Sequence, residues 1–483
     1  MPDLKVLLDE LRREGLLIRA PEDAAAWTGV SADSRAVAPG NLYCAVRGTT
    51  TDGHRFIGDA VARGAGVVMV EAPATAGVAE IVVNDGRRAA IAAGRVWFGD
   101  PAASLTMIGI TGTNGKTTTT GLVRHLFNAT AQAGSIGTLG AFDGAGNTVP
   151  STAGSLTTPG PIDLQAALAE LRARGCTHVA METSSHSLDQ GRLDGISYAA
   201  GIYTNLTREH LDYHGTMEAY LAAKLRLSSL LAFDGIEVVN ADDSSWAAIP
   251  ARARRVTFGV TGHANVRAEG VVLGAGGSRF RLTGRFGPAE VEIPLLGEFN
   301  VSNALAAAAC ALGLGRPLTE VVERLAAAPQ VPGRMEQLAA RPVVLRDYAH
   351  TPDAMERVLA TLRPLTAGRV ILVFGCGGDR DRGKRSIMGR LAVAGADLVV
   401  ITSDNPRTED PERILDDIES GMGSTPHLRV SERHEAIRRA LAEAREGDTV
   451  LLAGKGHETY QHIGHEKQPF DERAIVRTEL GIR

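Results

Sequence analysis

The chain has 483 residues, 44% of them hydrophobic and 22% charged, with a formal net charge of −5. That length and balance suit a globular protein of about three ordinary domains. The mild acidity argues against nucleic acid or an anionic membrane as partner, while local basic sites for an anionic substrate remain possible.

In chain order, residues 1–18 mix apolar and charged positions as an amphipathic helix does, and Asp3, Asp9 and Glu10 deny them the apolar core of a signal peptide. Short strands are expected near 41–46, 67–70 and 81–83, completing a first domain at 1–104. A buried strand at 104–110 runs straight into a Gly-rich loop and opens a second domain, 105–332. Its further strands fall near 178–181, 199–204 and 237–240, and Thr216 is the expected N-cap of a helix over 217–231. Residues 254–296 alternate Gly, Val and Arg, which suggests a small antiparallel insertion, and an Ala-rich helix follows at about 300–312. After a linker at 329–333, a third domain, 333–483, carries strands near 343–346, 369–374, 398–402 and 449–453. Strands alternating with helices make the fold α/β with parallel sheets. No apolar run reaches the roughly 18–20 residues that span a bilayer. The four cysteines lack CxxC or zinc-like spacing, as in a reduced cytosolic protein.

Only six of the 51 basic residues are lysines, so lysine is expected to persist where Arg chemistry fails. One of them, Lys116, ends the loop Gly112, Thr113, Asn114, Gly115 that follows the strand from residue 104. A strand, a Gly-rich turn and a helix aim successive backbone N–H groups at phosphate oxygens. Lys116 would reach the β- and γ-phosphates, and the Thr117 hydroxyl, followed by Thr118, would bind Mg²⁺. Ile110 stands where the strict motif has Gly.

That departure is itself informative. The run Thr111 to Thr117 resembles the ATP loop of the Mur ligase family, and further ordered motifs extend the resemblance over nearly the whole chain. They include Asp33, Ser34 and Arg35; Asp52, Gly53 and His54; Asn300 to Asn303; Pro332 to Met335; and Asp347 to His350. The resemblance implies three domains, a central P-loop ATPase-like parallel sheet flanked by an N-terminal nucleotide-sugar domain and a C-terminal Rossmann-like domain. It implies a cytoplasmic, monomeric ATP- and Mg²⁺-dependent ligase acting on small molecules in cell-wall synthesis. Its products would be amides, formed through an acyl phosphate.

Particular residues follow from the same likeness. Glu182, at the carboxyl end of a strand, and His210 would serve the metal, and Lys224 would do so as a CO₂-derived N6-carboxylysine. A desolvated amine with a lowered pKa is what that modification requires. His210 and His214 also sit at the i, i+4 spacing of a zinc pair, although no third ligand of zinc type is evident. Ser34, Thr49, Thr50 and Thr51 would hold a uridine, and Thr157, Thr158, Ser184, Gln190 and Arg192 a muramoyl dipeptide. Leu156 departs from the Asn of some relatives. Asn303, Arg334 and Asp347 would contact ATP. Asp404, Asn405, Pro406 and Arg407 resemble the family's signature for meso-diaminopimelate, with Arg380, Gly454 and Glu458 completing that site. An Arg fork can bind the second carboxylate that diaminopimelate has and lysine lacks, while Asp404 and Asn405 offer acceptors to an ammonium. The rivals are the lysine-adding ligase, a folate polyglutamate synthase, a catalytically inactive binding protein and a P-loop kinase or motor. The signature at 404–407 opposes the first and the last. The unit at 33–35 opposes the second, and the intact Lys116, Glu182, His210 and Lys224 oppose the third.

Overall fold

The computed structural model describes residues 2–21, 26–48, 51–74, 76–130, 132–150, 156–250, 254–274 and 276–482. Its three main sheets give a three-domain α/β architecture. The chain divides into two compact units: Met1–Arg267, Thr283–Pro288 and Ser302–Arg324 form the first, and Ala268–Leu282, Ala289–Val301 and Leu325–Arg483 the second.

The first unit opens with the helix Leu4–Arg13, whose Leu4, Leu7 and Leu11 are buried at helical spacing, with Asp3 capping Lys5 N. The helix is shorter than its sequence suggests, because the chain turns at Gly15 and enters the strand Leu17–Arg19. That strand edges a five-stranded sheet in the spatial order Leu17–Arg19, Ala79–Val83, Val67–Val70, Leu42–Cys44, Val30–Ser31. All its pairings except the first are parallel.

In the next sheet Thr106–Thr111 lies between His178–Glu182 and Tyr198–Tyr203, parallel to both. Leu231–Asn240 and then Arg255–Gly259 extend one side, also in parallel. Segment 254–296 therefore begins as part of the parallel sheet, and Val266 again pairs parallel with Phe258. The expected antiparallel pairing is seen between Gly277–Gly284 and Ala289–Ile293. On the other side lies Ala133–Gly137, followed antiparallel by Gly140–Phe142 and Thr148–Val149. The core joins Met107, Val179, Met181 and Tyr198 to Leu164 and Leu168 of the helix Pro161–Ala173. The helix Glu298–Gly313 buries every residue from Ala304 to Ala311. Its small apolar side chains on all faces suit that position.

The second unit has its own sheet, in the order Glu336–Ala340, Val343–Asp347, Thr449–Ala453, Val370–Phe374, Leu398–Ile401, Leu428–Arg429. The first pair is antiparallel and the rest parallel. Val370–Phe374 is apolar and buried throughout, as a strand covered on both faces must be. The four cysteines are free and buried. Among the described residues no helix is long and apolar enough to cross a membrane.

Candidate active site

Thr106–Thr111 delivers the chain into the Gly112–Gly115 loop, and the helix Lys116–Phe127 leaves it. Gly112 and Gly115 have φ of 148° and 82°, values that L side chains rarely adopt. A Cβ at Gly112 would strike Thr204 Oγ1, and one at Gly115 would strike Asn303 Oδ1. Asn303 accepts from Thr119 Oγ1 at 3.3 Å, so it stands against the loop. A second segment bolts the loop in place. Asn205 Oδ1 accepts from Asn114 N at 2.9 Å, Thr204 Oγ1 donates to Asn114 O at 2.7 Å, and Thr113 Oγ1 accepts from Thr207 N at 2.9 Å. Loop N–H groups held this way are a preorganised anion cradle.

Two ammonium groups meet at one carbonyl. Lys116 Nζ donates to Gly112 O and Thr113 O at 3.0 and 2.7 Å, and Lys224 Nζ donates to Gly112 O at 2.7 Å. Lys224 lies on the helix Met217–Ser229, capped as expected by Thr216, which accepts from Ala219 N. Its stem does not run out to water; the residue is 1% exposed and its Nζ sits 4.4 Å from the Tyr220 ring centroid. Burial, and then the charge of Lys116, drive its pKa well below the ordinary lysine value.

Glu182 ends its strand buried, its carboxylate accepting from Thr138 N at 2.9 Å and Thr138 Oγ1 at 3.1 Å. His210 and His214 pack with His186 in a ring cluster, His186 lying 4.9 and 5.4 Å from them. Burial lowers the pKa of all three imidazoles, that of His186 to about 4. Their likeness to a zinc pair goes no further. Among the described residues no three His, Cys, Asp or Glu side chains form a group that could hold a metal. Thr117 and Glu182 carry oxygen donors of the kind a hard cation takes.

Thr158 Oγ1 donates to Glu182 O at 2.9 Å and contacts Ser184 Oγ at 3.3 Å, and Arg192 donates to Thr158 O at 2.9 Å and Gln190 Oε1 at 2.9 Å. Thr157 receives Thr138 Oγ1 at 3.3 Å. A cavity of about 300 Å³ is lined by Lys116, Thr157, Thr158, Ser184, Arg192, His210 and Lys224 among others. Phosphate-loop, metal and dipeptide candidates thus share one space. Leu156 lines it too, half-exposed. Ser34 and Thr51 belong instead to the N-terminal sheet region, Ser34 buried and Thr51 exposed, and Thr49 and Thr50 lie outside the described residues.

In the second unit the remaining candidates collect at the carboxyl ends of parallel strands, where α/β sheets bind ligands. Asp347 Oδ2 accepts from Met335 N at 2.7 Å, and the Arg334 guanidinium lies 4.8 Å from the Tyr348 ring. Burial raises the Asp347 pKa against the pull of Arg334. Arg407 Nη1 donates to Gly378 O at 2.8 Å, tying its segment to the loop that carries the exposed Arg380. Gly454 approaches Asp404, and Pro406 is buried. Asn405 and Asp404 do not stand as open acceptors. They face the buried ammonium of Lys455, as does Glu458. Among the described residues, the non-glycine positions with positive φ are Asp100, His210, Met335, Asp379 and Arg407. Four of them are site candidates or their neighbours, which is where backbone strain concentrates. Sequence reasoning passed over Thr138, Asn205, His186 and Tyr220. The only signal for Asn205 was its place just after a strand, beside the motif that carries His210.

Three family profiles match the chain: Mur ligase family, catalytic domain, over residues 27–99; Mur ligase middle domain over 110–311; and Mur ligase, glutamate ligase domain, over 333–456. A UDP-N-acetylmuramoyl-L-alanyl-D-glutamate–2,6-diaminopimelate ligase of Geobacillus kaustophilus is 44% identical over 464 residues, spanning 93% of this chain and 94% of its own. One of Gloeobacter violaceus is 42% identical over 493 residues, spanning 100% and 99%. A solved structure of a ligase of that same name superposes with a TM-score of 0.67 at 36% identity, covering 94% of this chain and 95% of its own.

Proposed function

The chain belongs to the Mur ligase family, and we propose that its reaction is ATP-dependent addition of meso-2,6-diaminopimelate to UDP-N-acetylmuramoyl-L-alanyl-D-glutamate. The observation that carries this reading is the single cavity shared by Lys116, Lys224, His210, Thr157, Thr158, Ser184 and Arg192. Relatives so named, 42–44% identical along nearly the whole chain, support it.

The γ-carboxylate of the D-glutamyl residue attacks the γ-phosphorus of ATP. The bond to the bridging oxygen breaks, and ADP leaves with that electron pair. An amine of diaminopimelate then adds to the acyl-phosphate carbonyl, phosphate departs, and the amine loses a proton as the amide forms. Lys116 and the loop N–H groups neutralise charge on the transferring phosphoryl group. Thr157, Thr158, Ser184, Gln190 and Arg192 orient the dipeptide, and Ser34 with Thr49–Thr51 the uridine. Asn303, Arg334 and Asp347 serve ATP. Arg407 reads the second carboxylate of the amino acid, beside Arg380, Asp404, Asn405, Pro406, Gly454 and Glu458. Bound Mg²⁺ supplies further charge neutralisation at the phosphates. Thr117, Glu182 and His210 would hold it, together with a carboxylated Lys224. The substrates carry a cytoplasmic location with them, and a monomer is the working unit.

The test is incubation of the purified protein with ATP, the UDP-linked dipeptide and either meso-diaminopimelate or L-lysine, following ADP release and product mass. Diaminopimelate-dependent amide formation is expected. Equal use of lysine, or ADP release without amide, would overturn the reading.

A further inference from the structure

Lys455 is 0% exposed, yet none of the roles proposed above uses it. Its Nζ donates to Asn405 Oδ1 at 3.0 Å and lies 3.5 Å from both Asp404 Oδ1 and Glu458 Oε2. Phe470 and Tyr460 close over it, their ring centroids 5.9 and 6.0 Å from Nζ. An ammonium taken out of water is tolerated only when paired, so this one is committed to its three acceptors. The acceptors are fixed in turn. Asn405 Oδ1 also accepts from His462 N at 2.9 Å, which aims the amide nitrogen at Glu458 Oε2, 2.8 Å away. Gln461 Nε2 holds Asp404 O at 3.0 Å. Among the described residues, both side-chain contacts to the Glu458 carboxylate therefore fall on Oε2, which leaves Oε1 for another donor.

Two carboxylates and one ammonium leave the cluster with one net negative charge, beside an Arg407 that reads a carboxylate. An amino-acid end, one ammonium next to one carboxylate, is the complementary pattern. We propose that Lys455 is a positioning residue for the amino-acid substrate. It locks Asn405, Asp404 and Glu458 into one arrangement and cancels one of their two charges, so that Glu458 Oε1 receives the substrate's distal ammonium. Without it the carboxylates of the buried Asp404 and the part-buried Glu458 would repel each other, and Glu458 would turn towards solvent. The inference rests on the reading of this unit as the diaminopimelate site.

The test compares the full-length enzyme with Lys455→Met, Lys455→Gln, Glu458→Gln, the Lys455→Met/Glu458→Gln double variant, and Arg407→Ala as control. Each is measured for melting temperature and for KM and kcat towards all three substrates. Lys455→Met is expected to raise the KM for diaminopimelate roughly 10- to 100-fold, the scale of one charge-assisted hydrogen bond. The KM for ATP and for the UDP-linked dipeptide should stay within twofold, and kcat at saturation within fivefold. Lys455→Gln, which keeps a donor without the charge, should fall between. The double variant should be no worse than the poorer single one, because both changes disable the same contact. A diaminopimelate KM unchanged in Lys455→Met, or one that rises together with the KM for ATP, overturns the proposal. Unfolding of both Lys455 variants also overturns it, by making the lysine a stability residue. If Arg407→Ala leaves the diaminopimelate KM unmoved, the site reading itself fails; if only the Lys455 variants leave it unmoved, the failure is confined to this inference.

Discussion

At Lys224 charge and burial are in conflict. An ammonium beside a second ammonium, almost fully buried, is best relieved by losing its proton, and a neutral amine can add CO₂. Lys224→Ala should therefore abolish amide formation, with partial recovery in millimolar formate or acetate, and ¹³CO₂-equilibrated wild-type protein should show a carbamate carbon by NMR that the variant lacks. Absence of that signal from active protein would remove the carboxylated lysine. Lys116→Ala should cost activity too, at least a hundredfold by the scale of one lost transition-state donor, with the melting temperature kept; normal turnover would take the loop lysine out of the reaction. His186 gives a pH prediction. Burial keeps it neutral down to about pH 4, whereas a histidine in the unfolded chain protonates near 6.5. Between those values the unfolded state binds more protons, so the stability His186 contributes is present above that window and lost as pH falls through it. A melting curve against pH should be flatter there in His186→Asn, and an unchanged slope would assign the acid sensitivity elsewhere.

At the scale of elements, the helix Met217–Ser229 positions Lys224, and its first turn depends on the exposed Thr216 cap. Thr216→Ala should cost about 1 kcal/mol in urea unfolding, while Thr216→Ser should cost little; equal losses would mean that the hydroxyl is not the cap. That cap, the buried strand into the phosphate loop and the covered strands of the second unit were legible in the sequence, because capping chemistry and apolar runs are local signals. Ala133–Gly137 was not legible. Its AGSIG composition has one β-branched residue, and only its neighbours in the sheet make it a strand. The same limit explains the site. Lys116 and Glu182 could be placed from the strands preceding them. The grip of Asn205 on Asn114, across 91 positions, and the hold of Lys455 on Asn405, across 50, exist only after folding. Residues 254–259 misled for a related reason, since alternating Gly, Val and Arg fits a strand whether its partners run parallel or not.

For the whole molecule, the two compact units bury separate sets of apolar side chains, so calorimetry should resolve two unfolding transitions. The candidate contacts for the UDP-linked dipeptide all belong to the first unit. At a hundred times its Kd that ligand should stabilise one transition by about 2.7 kcal/mol and leave the other in place; a shift of both together, or of the opposite one, would contradict this assignment. The buried thiols offer a way to watch the same events without heat. Cys44 sits in the core under the N-terminal sheet, Cys176 in that of the central sheet, and Cys376 in that of the second unit. Desolvation pushes the pKa of each upward, that of Cys376 to about 12, so the native thiols are both shielded and un-ionised. A brief exposure to an alkylating reagent marks a cysteine only while its surroundings are open. Peptide mass then dates the opening of each core separately, a set of chemical clocks written into the chain by the places where cysteine was buried.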